Sequence, residues 1–380
     1  MKTVAICGSK VETIMSADSF VDHLEIEGIK VNCGIIHTKD ITFASNDPVF
    51  SNYVLFQVKA FSCNYRDKRL ILNTATSAPA NRFNAVGSEF VGVVLAVGTD
   101  VTDLKTGDRV IANNCYPDSG VTGLRPGVPT NHASKELRIL HQAKLIKIPD
   151  VMPDDVAASF SIGGQTSYSM IRKLQIQPEQ NILVTAAKSN TSLFVLHALQ
   201  KYRQQMGIRV YALTSSGKFI DKIQAIGVDR VVQIQPNSET WIDPETAASV
   251  LEETKGGFHG IIDPFFDLHI ARMLPVMKPE AKYITCGLYD QFTDLTGTQS
   301  PDIGISPQHL LYTTMIYNLS IIGNCIGLTS DLEQAIADYA QGNLPVAIDS
   351  VYTGKDIAPF FDRMYNSRDR FGKVVYSYEN

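Results

Sequence analysis

Hydrophobic and polar positions change rhythm twice along this 380-residue chain. Over the first 60 residues the apolar runs are short, with KTVAIC, NCGIIH and YVLFQVKAF standing between polar stretches. The third run, at 53–61, mixes apolar and polar residues as a half-buried strand does. Residues 87–112, GSEFVGVVLAVGTDVTDLKTGDRVIA, place two Val-rich runs around Gly98, Asp100, Gly107 and Asp108. That composition predicts β-structure with tight turns and little helix. Residues 113–138 are rich in Gly, Pro, Asn and Ser and read as one long loop, a length usually associated with function or mobility. Residues 145–149 read as a strand ended by Pro149.

The second change comes after Pro153. Residues 154–174 predict a helix interrupted around Gly163 and Gly164. Strands at 181–185, 209–213, 230–234, 260–263, 283–286 and 319–323 then alternate with helices at 191–202, 218–226, 246–254 and 268–277. Leu193, Leu196 and Leu199 fall at helical spacing, and Gly227 stands where a glycine stops a helix. Alternation of this kind predicts a doubly wound parallel sheet. A helix near 330–341 and short strands follow, closing with Gly372-Lys373-Val374-Val375-Tyr376. There is no internal repeat.

Composition narrows the class. With 44% apolar and 19% charged residues the chain is neither disordered nor supercharged. A net charge of −5 gives no basic footprint for nucleic acid or anionic membrane, so neither is expected as a partner. No apolar run approaches the ~18 residues of a membrane span, and the N-terminal apolar stretch is too brief for a secretory signal. Cys7, Cys33, Cys63, Cys115, Cys286 and Cys325 are scattered without a C-x-x-C pair, which predicts a reducing, cytoplasmic setting. The histidines show no H-x-x-x-H spacing, and Cys63 has no basic neighbour in sequence to activate it as a nucleophile.

The order of these segments resembles the medium-chain dehydrogenases/reductases over roughly residues 47–380. The resemblance is carried by residues 87–112, by Asn64-Tyr65-Arg66-Asp67, by the strand–loop–helix at 181–200, by IQAIGVDRVV at 223–232 and by GKVV at 372–375. It implies an α/β protein, with a GroES-like β-rich catalytic domain at 1–164, a Rossmann doubly wound domain at 165–327 and a return to the catalytic domain at 328–380. Residues 1–46 are atypical of the family. A zinc-dependent member would carry a Cys three residues before Asp67, a His in a G-H-E motif and a ligand four residues before Thr166. Asn64, Ser88 and Ile162 stand at those positions, and residues 113–138 hold only Cys115 of a four-cysteine lobe. The resemblance therefore implies a zinc-independent branch, without a metal site.

Zinc-free relatives mostly reduce carbon–carbon double bonds conjugated to a carbonyl, where ordinary hydrogen-bond donors can stabilise the developing enolate. Residues 64–67 resemble the N-F-R-D loop of enoyl-thioester reductases, which places Asn64 and Tyr65 as catalytic candidates; Asn64 as a helix cap is the plainer alternative. The loop after strand 181–185 has Ala186, Ser189 and Ser192 where the family carries glycines. The helix N-terminus still offers backbone N–H groups to a pyrophosphate. Ala187, Ser189, Asn190, Thr191 and Ser192 are accordingly cofactor candidates.

Thr214, Ser215, Ser216 and Lys218 follow the second strand of that domain without an acid, which suits the 2′-phosphate of NADPH, with Lys222 as an alternative cation. Thr166, Cys286, Gly287, Leu288 and Lys373 complete the cofactor set by family position. The expected protein is an NADPH-dependent reductase of an enoyl thioester, enone or quinone-like acceptor, acting on a small-molecule or thioester-linked substrate bound between its domains. Metal-free carbonyl/alcohol oxidoreduction and a non-catalytic nucleotide-binding scaffold are the alternatives. The apolar run 315–323 suits either a homodimer contact or a buried strand.

Overall fold

The computed structural model describes residues 1–11, 18–235, 242–291, 295 and 304–378. The chain divides into two compact units, one of residues 1–162, 291–299 and 347–380, the other of residues 163–290 and 300–346.

The first unit is built on two sheets. Strands Phe20–Ile26, Ile29–His37, Lys2–Cys7 and Phe83–Ala85 lie in that order in an antiparallel sheet. The other sheet runs Ile348–Thr353, Lys373–Ser377, Tyr53–Ser62, Glu89–Val97, Arg109–Ala112 and Leu145–Lys147, with Leu137–His141 also paired to Tyr53–Ser62. Alternation along Tyr53–Ser62 buries Val54, Phe56, Val58 and Ala60 on one face, as a period of two requires. Phe61, Phe90, Phe360 and Tyr376 fill the core of this unit.

Among the described residues the second unit holds six parallel strands, in spatial order Arg230–Gln233, Arg209–Thr214, Asn181–Val184, Phe258–Asp263, Met277–Thr285 and Ser320–Gly323. Numbered along the chain this is 3-2-1-4-5-6, so the order reverses between Asn181–Val184 and Phe258–Asp263. Ligands of open parallel sheets gather beyond the carboxyl ends of the strands at such a reversal.

Several expectations shift. The helical break falls at residues 158–160, between helices Asp154–Ala157 and Ser161–Leu174, and not at the glycines. Gly163 lies inside the second helix, where a Cβ would come within 2.7 Å of the Phe194 ring. The segment 328–346 belongs to the second unit. Its helix Thr329–Ala340 is tied there by Arg172, whose Nε donates to Asp331 Oδ1 at 2.8 Å, and by Tyr168, whose hydroxyl donates to Asp338 Oδ2 at 2.7 Å. The return to the first unit thus comes at 347. In residues 315–323, Met315 and Ile316 end the helix Pro307–Ile316, and Ser320–Gly323 is an edge strand with no fully buried residue, so the run is not a buried strand. No helix among the described residues is long and apolar enough to cross a membrane.

Candidate active and cofactor site

Asn64 precedes the helix Tyr65–Ser77 and belongs to a buried polar network in the first unit. Asp67 caps that helix end, its Oδ2 accepting from the Asn64 backbone N–H at 2.7 Å. Asn64 is the N-cap of that helix, and its amide has further partners. Its Nδ2 donates to Ser88 Oγ at 3.0 Å and to Glu89 Oε2 at 2.8 Å, and its Oδ1 accepts from Lys373 Nζ at 2.6 Å. Lys373 also forms an ion pair with Glu89 Oε2. Both members of that pair are buried, Lys373 at 2% exposure and Glu89 at 0%. Glu89 Oε1 accepts from the Ile162 N–H at 2.7 Å and from Ser161 Oγ at 3.3 Å. A charge this far from water persists only when paired and hydrogen-bonded, and here nearly every acceptor site of the carboxylate is used.

Three sequence expectations are placed by this network. Asn64 is half-buried and joins the pair to the helix start. Tyr65 is half-buried too, with its hydroxyl inside the unit and its ring 5.6 Å from Lys68 Nζ. Lys373, assigned to the cofactor from sequence, is instead held by Glu89 and Asn64, because strand pairing carries it to the end of Glu89–Val97. Cys63 is fully buried and burial pushes its thiol well above the usual range, so it is no thiolate nucleophile.

In the second unit, Thr185 directly follows the first parallel strand, Asn181–Val184, and the 17-residue helix Asn190–Met206 begins five residues later. Ala186 between them adopts φ +46°, the left-handed turn that the absent glycine would have made without strain. The Ala187 N–H donates to Leu213 O at 2.8 Å and ties the loop to the neighbouring strand. Ser189 caps the helix, its Oγ accepting from the Ser192 N–H at 3.3 Å, while Ser192 Oγ donates to Thr185 O at 2.7 Å. Asn190 and Thr191 are half-buried in the first turn.

The second strand ends at buried Thr214; beyond it Ser215 and Lys218 are exposed, and the Ser216 N–H donates to Thr214 Oγ1 at 3.2 Å. Phe219 anchors this corner at 4% exposure. The ammonium groups of Lys188, Lys218 and Lys222 stand 6.0, 5.8 and 5.8 Å from the centroid of its ring. Sequence reasoning missed Lys188. Its position in the loop, directly before the helix cap Ser189, is the available signal.

Thr166 is buried in helix Ser161–Leu174. Half-buried Cys286 and Gly287 and exposed Leu288 follow the fifth strand at its carboxyl end. A Cβ on Gly287 would come within 2.9 Å of Pro264 O, so glycine there serves a close backbone approach. Burial pushes the Cys286 thiol up to about 12.

Known proteins match this architecture. The alcohol dehydrogenase GroES-like domain family matches residues 51–150. The alcohol dehydrogenase of Geobacillus stearothermophilus is 24% identical over 305 residues, 76% of this chain and 81% of that one. The acryloyl-coenzyme A reductase of Metallosphaera sedula is 25% identical over 345 residues, 86% of this chain and 92% of the relative. An NAD-dependent alcohol dehydrogenase structure aligns with TM-score 0.74 at 21% identity, covering 100% of both chains. A quinone oxidoreductase structure from Pseudomonas syringae aligns with TM-score 0.67 at 20% identity, also covering 100% of both.

Residues 51–150 match the GroES-like domain family, and the chain is similar over most of its length to medium-chain dehydrogenases/reductases. The zinc of some medium-chain dehydrogenases does not fit its residues. The three ligand positions hold an amide at Asn64, a hydroxyl at Ser88 and a hydrocarbon at Ile162. Zinc takes thiolate, imidazole or carboxylate, and the Lys373 ammonium bonded to Asn64 would repel a dication. Among the described residues no group of three or more His, Cys, Asp or Glu could hold a metal ion. The dinucleotide of medium-chain dehydrogenases does fit. A left-handed turn, small side chains and a helix N-terminus stand beyond the first strand at the sheet's reversal point, which suits a pyrophosphate.

Proposed function

We propose that the chain is a zinc-independent, NADPH-dependent oxidoreductase that reduces an activated carbon–carbon double bond, as in an enoyl thioester, enone or quinone-like acceptor. The observation that carries this reading is the Lys373–Glu89–Asn64 network at the family's metal position. Reduction of a simple ketone needs a Lewis acid or proton donor on the carbonyl oxygen. Reduction at a conjugated alkene moves charge onto a more distant oxygen, which neutral donors can stabilise. Both N–H groups of the Asn64 amide are given to Ser88 and Glu89 and its oxygen to Lys373, so Asn64 shapes the site and is not itself the donor to that oxygen.

When bound, the nicotinamide supplies a hydride. Lys188, Lys218 and Lys222 favour NADPH over NADH by placing three cations around one ring at the end of the second strand. The acryloyl-coenzyme A reductase of Metallosphaera sedula supports the alkene reading.

The deciding experiment pairs NADPH fluorescence titration with a substrate screen. The expected result is binding of NADPH together with turnover of enones or enoyl thioesters, and none of the matching saturated ketones. Turnover confined to ketones or alcohols would select carbonyl chemistry instead. Failure to bind either nucleotide would select the scaffold reading.

We also propose a homodimer. Helix Pro307–Ile316 exposes Leu311, Tyr312, Met315 and Ile316, each more than half exposed, beside the edge strand Ser320–Gly323. An apolar surface next to an open sheet edge favours pairing with a second copy. Light scattering should give twice the 41.8 kDa chain mass, and Met315→Glu with Ile316→Lys should halve it.

A further inference from the structure

The nucleotide loop has lost the glycines that normally shape it, yet it is not loose. Its anchor is Asp263, the last residue of strand Phe258–Asp263, fully buried across the sheet's reversal point from Thr185. Four donors converge on this carboxylate. They are the Thr185 hydroxyl, the Tyr283 hydroxyl, His269 Nδ1 at 2.6 Å and the Phe265 N–H at 3.1 Å. Thr185 and Tyr283 are themselves fully buried and His269 is 6% exposed.

From Thr185 the chain of bonds continues into the loop. The Thr185 carbonyl accepts from Ser192 Oγ at 2.7 Å, and Ser192 Oγ accepts from Ser189 Oγ at 3.0 Å. Ser189 is the cap of helix Asn190–Met206. Hydrogen bonds through the side chain and then the backbone carbonyl of Thr185 thus link a buried carboxylate to the helix end that would face a pyrophosphate. A glycine turn is fixed by backbone shape alone. Ala186, Ser189 and Ser192 cannot reproduce that, so side-chain bonds hold the conformation in its place.

We propose that Asp263 is a positioning residue for the dinucleotide, acting through Thr185, Ser192 and Ser189 to hold the helix N-terminus ready for the pyrophosphate. This rests on the reading of the chain as a nucleotide-dependent reductase. Preorganisation of the loop removes an ordering cost that would otherwise be subtracted from affinity.

The test uses Thr185→Val, which keeps the side-chain shape and removes the hydroxyl, and Thr185→Ser, which keeps the hydroxyl. Hydrogen exchange is followed in the peptide spanning residues 184–193 without nucleotide, alongside NADPH dissociation constants, kcat and KM. Thr185→Val should speed exchange in that peptide several-fold. It should also raise the NADPH dissociation constant and KM about tenfold, the loss of roughly one hydrogen bond to a charged group, with kcat at saturating NADPH nearly kept. Thr185→Ser should restore both.

Unchanged exchange in Thr185→Val overturns the proposal. A loss of protection across the whole second unit that Thr185→Ser fails to repair overturns it as well, since the role would then be general packing. If the unmodified protein binds neither nucleotide, the assigned function fails. The exchange data then still decide whether Asp263 holds the loop.

Discussion

Lys373→Met should destabilise the first unit by about 3–5 kcal/mol, the range for breaking a buried ion pair by removing one partner. The methionine roughly fills the lysine stem's volume, so the loss reports charge rather than a cavity. What remains is Glu89 at 0% exposure without its paired cation, still facing donors from Asn64, Ser161 and Ile162. Adding Glu89→Gln to Lys373→Met should recover most of the loss, because a neutral amide no longer needs a counter-charge and can keep an acceptor for the Ile162 N–H. The exposed Lys105→Met should lie within about 0.5 kcal/mol of the parent, as surface changes do. Urea unfolding of the four proteins is the measurement. A Lys373→Met variant as stable as Lys105→Met would remove the ion pair as the organiser of this site.

This pair also shows where sequence reading reached its limit. Lys373 and Glu89 lie 284 positions apart. Their meeting depends on strand Lys373–Ser377 joining Tyr53–Ser62, which in turn pairs with Glu89–Val97. No local pattern encodes that. The parallel sheet was legible because each of its strands is a short apolar run bounded by turn residues, and each crossover returns to the same sheet. Helix Tyr65–Ser77 was legible only at its cap. Its sequence YRDKRLILNTATS buries just Ile71 and Leu72 among its apolar side chains, too thin a stripe to announce a helix.

The N-terminal sheet was only partly legible: KTVAIC and NCGIIH stand out as short β-rich runs, but the strand beside them does not. Strand Phe20–Ile26 carries Asp22, His23 and Glu25 in seven residues, and tertiary pairing overrides that composition. The glycine-poor loop was read correctly as a departure from the family. The bonds that compensate for it come from Asp263, 78 residues beyond Thr185, and only the fold brings them into view.

Replacing Lys188 and Lys218 together by Ala should weaken NADPH binding about a hundredfold and leave NADH within about threefold, on a scale of roughly 1.5–3 kcal/mol for each hydrogen bond to a charged group. The two lysines come from different segments, one from the loop after the first strand and one from the turn after the second. Parallel pairing of Asn181–Val184 with Arg209–Thr214 brings those segments to the same end of the sheet. Three ammonium groups near one buried ring repel one another, and a phosphate dianion relieves that repulsion where a ribose hydroxyl does not. The discrimination should therefore shrink as salt is raised, because the lysines are at the surface and their field is screened within about 10 Å at 0.1 M. Ser215→Asp supplies the opposite change, placing a carboxylate where the second strand ends and favouring a free 2′-hydroxyl. It should reverse the preference toward NADH. Fluorescence titration of each nucleotide at two salt concentrations measures all of this. Equal weakening of NADPH and NADH by the lysine changes would mean that the cluster supports the loop and does not read the 2′-phosphate, and the NADPH assignment would then fall.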